Sequence, residues 1–568
     1  MTELRYRLQA AVNAFGYGPS RAVLHVVIVL ALGAVVLGAY AVRRFDGLRD
    51  PAAMDAAQIA RNLRGGDGFT TRCLRPFDLR VLAEAGRPHW NARRLPELRQ
   101  GPAYPGLLAA GFKVVRPAAE PELPSGRFPA ETRVVVPVGI LCTLAASFAV
   151  YVLGVALFSP RTGLLGMILT LLGGGMLDSA IAGTAAPLAA LLVTAATAAA
   201  AQAGLQWRHR RHAVVWCALS ALAGLLCGAA FLSLYAAAVL VPVLAFWLRA
   251  ALDRHGWAAV ALFLLAFALV AAPWLIRNRR VSGRWLGLAP HAALQASAEY
   301  PGRALERSVD ASFHRVRVSW ALRQKLKANL SALLHERAYG LAASGIAGML
   351  FVVSLFRRLE EEAAHRLRGL LVAAFLALSG IACLVGPPGP GLLILLYPLL
   401  CLFGAEFVFL LAGHVTGAEE ETGRWFATIV AAVAAAPVAL RLLAPGPGIP
   451  YPPYYPPLQR SVAALLEPGE LLATDVPEAT AWYGERSSLL APRRPAGLLA
   501  LASNGVEVAA VYLAGPVADG GSGWAAVRAG RVPPGFPWRE ATHLPPGTRD
   551  QLLLAARVRW PVTEQETP

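Results

Sequence analysis

Charged residues make up only 15% of this chain, and its cysteines are not arranged in pairs. The six cysteines, Cys73, Cys142, Cys217, Cys227, Cys383 and Cys401, show no CxxC spacing, so neither a disulfide framework nor a structural zinc site is implied. There is no HExxH, phosphate-binding loop or nucleophile elbow, and zinc proteolysis, ATP hydrolysis and serine-hydrolase chemistry therefore find no support. Acids are in the minority, 35 Asp and Glu against 53 Lys and Arg, for a net charge of +18. That excess is almost wholly arginine and is spread through loops between apolar runs. It is not gathered on one soluble face, which argues against nucleic acid and for anionic lipid headgroups and lipid phosphates as partners.

What the chain has in abundance is apolar sequence: 56% hydrophobic residues and a mean hydropathy of +0.49 identify a polytopic α-helical membrane protein. A helix of about 20 apolar residues crosses the hydrocarbon core. That length predicts about eleven transmembrane helices, near 22–43, 134–158, 162–178, 181–203, 212–230, 232–249, 257–275, 337–356, 367–385, 391–412 and 425–443. The short loops SPRTG, QWRHRRH, RAALDRHG and FRRLEEEAAHRLRG all carry Arg and are expected on the cytoplasmic side. The N-terminus, whose apolar run is too long for a signal-peptide core, is then cytoplasmic. Two long loops, about 44–133 and 276–336, and everything after 444 are extracytoplasmic.

Residues 1–443 form the membrane domain, and the Pro-rich APGPGIPYPPYYPP at 444–457 reads as a semi-rigid linker. Beyond it, GELLATDVPEATAWYGERSSLLAP reads as strand, turn, helix, strand, and VEVAAVYLAG as a buried strand. A small extracytoplasmic α/β domain over 458–568 follows.

The first external loop opens with a helix at 51–63: Asp50 before Pro51 is a capping residue before a first-turn proline, and Gly65, Gly66 and Gly68 end the helix. Asp50 is thus explained by capping alone. Asp55 shares a face with Gln58, Ile59 and Asn62. That polar stripe is either a solvated face or the wall of a cavity in which a carboxylate takes a proton from an acceptor hydroxyl.

MDAAQIARNLRGGDGFTTR, followed by RQGPAYPGLLAAGF, resembles the first external loop of bacterial family 39 glycosyltransferases. These are relatives of dolichyl-phosphate-mannose protein mannosyltransferases and of lipid A aminoarabinose transferases. APWLIRNRRVSG, EYPGRALERS and ATDVPEATAWYGERSSLLAP extend the resemblance in the same order along the chain. It implies a GT-C-like fold in a bacterial inner membrane. It also implies inverting transfer of a sugar from a polyprenyl-phosphate donor to a protein, lipid or glycan acceptor on the outer side.

On that reading Asp55, with Asp50 as its rival, is the general base, and Gln58, Asn62 and Tyr104 line the cavity. Arg277 and Asn278 hold the donor phosphate, with snorkelling beside Trp274 as the bland alternative, and Arg303 and Arg307 are further phosphate candidates. Asp178, at the outer edge between two spans, is a second acidic candidate or a helix cap. Glu406, inside a span, reads as a structural carboxylate or as part of a transport pathway. Two positions depart from the family pattern: Ala186 stands where a Glu precedes the proline of a span, and Leu234 where an Arg precedes Tyr235. No metal-ligand motif is present, although a divalent ion serves some enzymes of this type. A flippase for lipid-linked substrates and a catalytically silent glycan-binding relative are the alternative readings.

Overall fold

The computed structural model describes residues 19–87, 91–92, 94–117, 127–208, 212–311, 315–335, 346–359, 361–385, 392–416, 420–444, 456–467, 469–503, 506–514, 523–531, 534–540 and 550–555. The chain enters through helix α1 (Pro19–Arg44), turns at Gly47 and continues into α2 (Pro51–Gly65). Two short strands, β1 (Thr70–Thr71) and β2 (Cys73–Leu74), precede α3 (Pro76–Glu84), β3 (Leu95–Pro96) and α4 (Ala103–Val115). The bundle continues with α5 (Val136–Leu157), entered through a wide π-type turn at Glu131–Val135, and then α6 (Pro160–Leu172), α7 (Gly174–Ile181), α8 (Ala186–Arg208) and α9 (Ala213–Ser233). After these come α10 (Leu240–Ala251), α11 (Gly256–Ser282), α12 (Arg315–His335), α13 (Ile346–Ser354), α14 (Glu362–Val385), α15 (Tyr397–Thr416) and α16 (Glu420–Leu443).

Among the described residues eight helices are long and apolar enough to cross a membrane, nine if the bent pair α6 and α7 is one span. The expected eleven are not reproduced, for local reasons. The chain breaks by 58° at Gly173, whose extended backbone passes so close to Tyr397 that a Cβ there would lie 2.3 Å from the Tyr397 hydroxyl. The stretch 232–249 is split at Leu234, where the extended backbone (φ −150°, ψ 112°) ends α9, so that α10 alone is too short. Of the expected span 337–356, residues 337–345 lie outside the described part, as do the first 18 residues and 445–455 of the linker. Alanine-rich α8 sits at the centre, buried through Ala189, Ala196 and Ala203, because small side chains let neighbouring helices approach closely.

The C-terminal segment supplies α17 (Pro456–Ala464), β4 (Leu471–Thr474), α18 (Pro477–Tyr483), β5 (Ser488–Leu490), α19 (Pro495–Ser503), β6 (Val508–Leu513), α20 (Trp524–Arg528), β7 (Trp538–Glu540) and β8 (Gln551–Ala555). The sheet order is β2-β5-β4-β6-β8-β7, parallel from β2 to β6 and antiparallel beyond. Strands β4 and β6 are buried along their whole length, as expected of parallel strands covered on both faces. The edge strand β2 comes from the first loop, 400 residues away in sequence: Cys73 and Leu74 pair with Ser488 and Leu489. Loop and C-terminal segment therefore share one sheet.

Candidate functional site

Helix α2 begins as its sequence requires: Asp50 adopts an extended backbone, its Oδ1 accepts the Ala52 N–H at 2.8 Å, and Gly66 closes the far end in a left-handed conformation. The polar stripe on this helix faces protein, not an open cavity. Thr71 Oγ1 donates to Asp55 Oδ1 at 3.0 Å, Gln58 Oε1 accepts the Arg72 N–H at 3.0 Å, and Asn62 Nδ2 donates to the Thr70 carbonyl at 3.0 Å. The stripe thus fastens α2 to β1 and the turn after it, which is why polar residues stand at buried positions. Tyr104, on α4, is buried in the apolar cluster that includes Met54 and Leu108.

Asp55 belongs to an ionic cluster whose centre is Arg75, 4% exposed. Arg75 Nη2 lies 3.1 Å from Asp55 and 2.9 Å from Glu478 on α18, with Glu306 at 3.7 Å and Asp78 at 3.9 Å from the same guanidinium. Arg99 bridges Asp78 and Glu306, and Arg303 bridges Glu306 and Glu478 at 2.7 and 2.6 Å. Burial alone would lower the Arg75 pKa, but the surrounding carboxylates hold it well above the usual arginine value. Burial would likewise raise Glu306 and Glu478, yet Arg303 and its neighbours hold both below the carboxylate range. Glu97, at the edge of the cluster, goes the other way: burial, then the charge of Asp55, pushes it up to about 7. The cluster joins the first loop, the 303–306 segment and the C-terminal sheet. Arg303 is part of it, and Arg307 is buried beside it, its carbonyl accepting the Arg493 N–H at 3.2 Å.

Arg277 and Asn278 also face inward. The Arg277 guanidinium donates to the carbonyls of Glu97 and Phe69 and to Asn278 Oδ1, and lies 4.7 Å from the Trp274 ring centroid. It acts as a strut from the end of α11 into the first loop. Next to Leu234, the Tyr235 hydroxyl accepts from Trp274 Nε1 at 2.8 Å. Ala186 is buried at the start of α8. Glu406 accepts from Thr162 Oγ1 at 2.8 Å and lines a cavity of about 520 Å³ at the opposite end of the bundle from α2.

The open site near the first loop lies beside Asp50. A cavity of about 570 Å³ is lined by Tyr40, Arg44, Asp46, Arg49, Asp50, Asp178 and Arg441, with Phe45, Gly47, Ile181 and Ala182 between them. Asp178, on α7, accepts the Tyr40 hydroxyl on one oxygen and Arg441 Nη1 at 2.9 Å on the other. Arg441 comes from the last turn of α16, and its carbonyl accepts from Arg44 Nε at 3.1 Å, tying the last span to the first. Gly174 makes room for this: a Cβ there would lie 3.1 Å from Arg441 Nη1. Asp46 pairs with Arg49, and Asp50 stands next to them; it is exposed to solvent, but the protein crowded around its carboxyl strips part of its water and raises it above the ordinary value despite the hydrogen bond from Ala52. Of the residues expected from sequence, Asp50 and Asp178 therefore share one cavity, whereas Asp55 and Arg277 lie elsewhere. Arg441 and Tyr40 carry no motif; the available signal was only that each is a polar residue in the last turns of an apolar span.

Three carboxylates and three guanidiniums around a cavity of ligand size, at the junction of membrane helices and a water-exposed loop, suit an anionic lipid headgroup and a proton acceptor beside it. Among the described residues no group of three or more His, Cys, Asp or Glu is placed to hold a metal ion.

The sequence matches no protein-family model and no curated protein sequence. Solved structures share the fold. ArnT from Cupriavidus metallidurans in the apo state superposes with a TM-score of 0.55 at 11% identity, over 94% of this chain and 98% of that one. The same protein bound to undecaprenyl phosphate gives 0.55 at 12% identity with the same coverage. The archaeal oligosaccharyltransferase AglB from Archaeoglobus fulgidus, in complex with an inhibitory peptide and a dolichol-phosphate, gives 0.51 at 12% identity, over 88% of this chain and 70% of that one. The chain is a multi-pass helical membrane protein of GT-C fold with a small C-terminal sheet.

Proposed function

We propose that this protein is a membrane glycosyltransferase that moves a sugar from a polyprenyl-phosphate donor to an acceptor on the side of the membrane bearing the α/β domain, in a bacterial inner membrane. The observation that carries the reading is the cavity that joins Asp50, at the start of the first-loop helix α2, with Asp178 on α7 and Arg441 in the last turn of α16. Two proteins of the same fold were solved with undecaprenyl phosphate and with dolichol-phosphate, which supports a lipid phosphate as the ligand here.

In this reading Arg441, oriented by Asp178 and Tyr40, binds the donor phosphate, with Arg44 and Arg49 adding positive charge. Asp50 takes the acceptor proton while the acceptor oxygen attacks the anomeric carbon from the face opposite the phosphate. The bond from that carbon to the phosphate oxygen breaks, polyprenyl phosphate leaves with the electron pair, and the anomeric configuration inverts. The growing negative charge on the phosphate is met by Arg441, so the arginine stabilises the transition state more than the ground state. The raised carboxyl of Asp50 suits a base, because a carboxylate of higher pKa accepts a proton more readily. Asp55, held between Arg75 and Thr71, serves in this scheme to position α2.

The test is release of polyprenyl phosphate from a panel of polyprenyl-phosphate sugars by the purified chain and by Asp50→Asn. Turnover by the parent and its loss in the variant support the proposal. Donor binding without turnover by the parent would replace it with the silent glycan-binding reading.

A further inference from the structure

Helix α12, RVRVSWALRQKLKANLSALLH, lies outside both the cavity and the ionic cluster. It contains five Lys and Arg and no acid, an unusual ratio even for this basic chain. Its inner face is set by Ala321 and Lys325, both buried, with Val318 and Leu322 packed on the cluster beneath the C-terminal sheet. Lys325 Nζ donates to the carbonyls of Ala293 and Gln295. Asn329 Nδ2 donates to the Cys383 carbonyl at 2.7 Å, two residues before the end of α14. The helix is thereby fixed against the last turn of a helix long and apolar enough to span a membrane.

The outer face is mixed in an ordered way. Trp320, Leu326 and Leu330 are 55, 36 and 45% exposed. At 100° per residue, Leu326 and Leu330 fall on one flank, Arg323 lies next to Leu330 toward the middle, Trp320 and Lys327 lie along the middle, and Arg317 and Gln324 form the other flank. Arg317, Arg323 and Lys327 are all exposed. Nearby in sequence, the end of α11 shows the same chemistry, with exposed Trp285 beneath the Arg279 guanidinium at 5.0 Å. Tryptophan is favoured at the membrane interface and Lys and Arg beside it are attracted to anionic headgroups. A helix that merely faced water would gain nothing from exposing Trp and two Leu.

We propose that α12 is an interfacial helix that binds anionic phospholipid headgroups of the leaflet on the α/β-domain side, Leu326 and Leu330 entering the lipid and Arg323 and Lys327 pairing with lipid phosphates. The charge complementarity commits the face to lipid: it is all positive and interleaved with apolar side chains, as an acidic bilayer surface requires.

The test uses the full chain in nanodiscs of phosphatidylcholine with or without phosphatidylglycerol. A spin label is placed through Leu326→Cys, Leu330→Cys or Gln324→Cys in a Cys217→Ser background, the other five native cysteines being buried. Labels at 326 and 330 are expected in contact with dissolved oxygen and shielded from a water-soluble relaxant, and the label at 324 the reverse. Separately, native mass spectrometry of the unlabelled protein with Arg323→Gln and Lys327→Gln is expected to show retained phosphatidylglycerol reduced about fivefold per charge removed. Water accessibility at all three labels, shielding from both relaxants as in a protein interface, or unchanged lipid retention would each overturn the proposal.

Discussion

Replacing Asp50 and Asp55 separately by Asn is expected to produce two different failures. Asn caps a helix about as well as Asp, so Asp50→Asn keeps the bond to Ala52 and changes stability by no more than about 0.5 kcal/mol. Its turnover falls about 10²- to 10⁴-fold through loss of the general base. Asp55→Asn acts on the cluster instead. Four carboxylates, Asp55, Asp78, Glu306 and Glu478, there surround three guanidiniums, Arg75, Arg99 and Arg303. Removing the Asp55 charge still leaves Glu478 at 2.9 Å from Arg75, so the loss is that of one charged hydrogen bond, about 1.5–3 kcal/mol. Arg75→Met is harsher, because Asp55 and Glu478 then lose the cation they share; about 3–5 kcal/mol is expected. Thermal unfolding in nanodiscs, followed by release of polyprenyl phosphate per folded molecule, separates the two effects. Loss of turnover in Asp55→Asn at an unchanged melting temperature, together with full activity in Asp50→Asn, would refute the assignment.

Arg441→Gln removes the cation facing the donor phosphate and is expected to raise KM for the donor about tenfold or more, measured by donor titration at saturating acceptor. Because partial loss of water around the exposed Asp50 raises its carboxyl and the base acts as the carboxylate, turnover is present at high pH and lost as pH falls through that raised value. The acid limb of kcat/KM should therefore sit above the ordinary carboxylate value of about 4, and a limb at or below it would count against Asp50. Glu97, pushed from 4.5 to about 7, binds its proton more tightly in the folded state, so its contribution to stability is present below pH 4.5 and is lost as pH rises through 7. Glu97→Gln avoids that loss and should gain on the parent across this window; an equal difference in melting at pH 5 and pH 8 would contradict it.

The membrane class, the first-loop helix and its cap, and the strand-helix-strand order after residue 470 were all legible, because each depends on neighbours in sequence. Asp50 before Pro51 can be read as a cap without any structure. The expected span count failed where a single backbone break decides, at Gly173 and Leu234, since a hydropathy window averages over the residues on either side. The alternatives for Asp55 could not be separated by periodicity: a polar stripe looks the same whether it meets water, ligand or Thr70 and Thr71. Arg277 was a reasonable phosphate candidate by residue type, but its partners are the carbonyls of Phe69 and Glu97, some 200 positions away.

By itself the sequence determined that the chain lives in a membrane, that its first loop carries the capped helix α2, and that its C-terminal segment forms strands. Those properties follow from apolar run length, local hydrogen bonding and side-chain shape. Only the tertiary structure decided which charges are partners. It put Arg75 among carboxylates from four separate segments, carried β2 into the C-terminal sheet, and set Arg441 of the last span against Asp178 and Arg44. Charge pairing acts over a few ångströms of space and is indifferent to separation along the chain, so the same arginines and aspartates could be strut, bolt or site until the helices brought particular ones together.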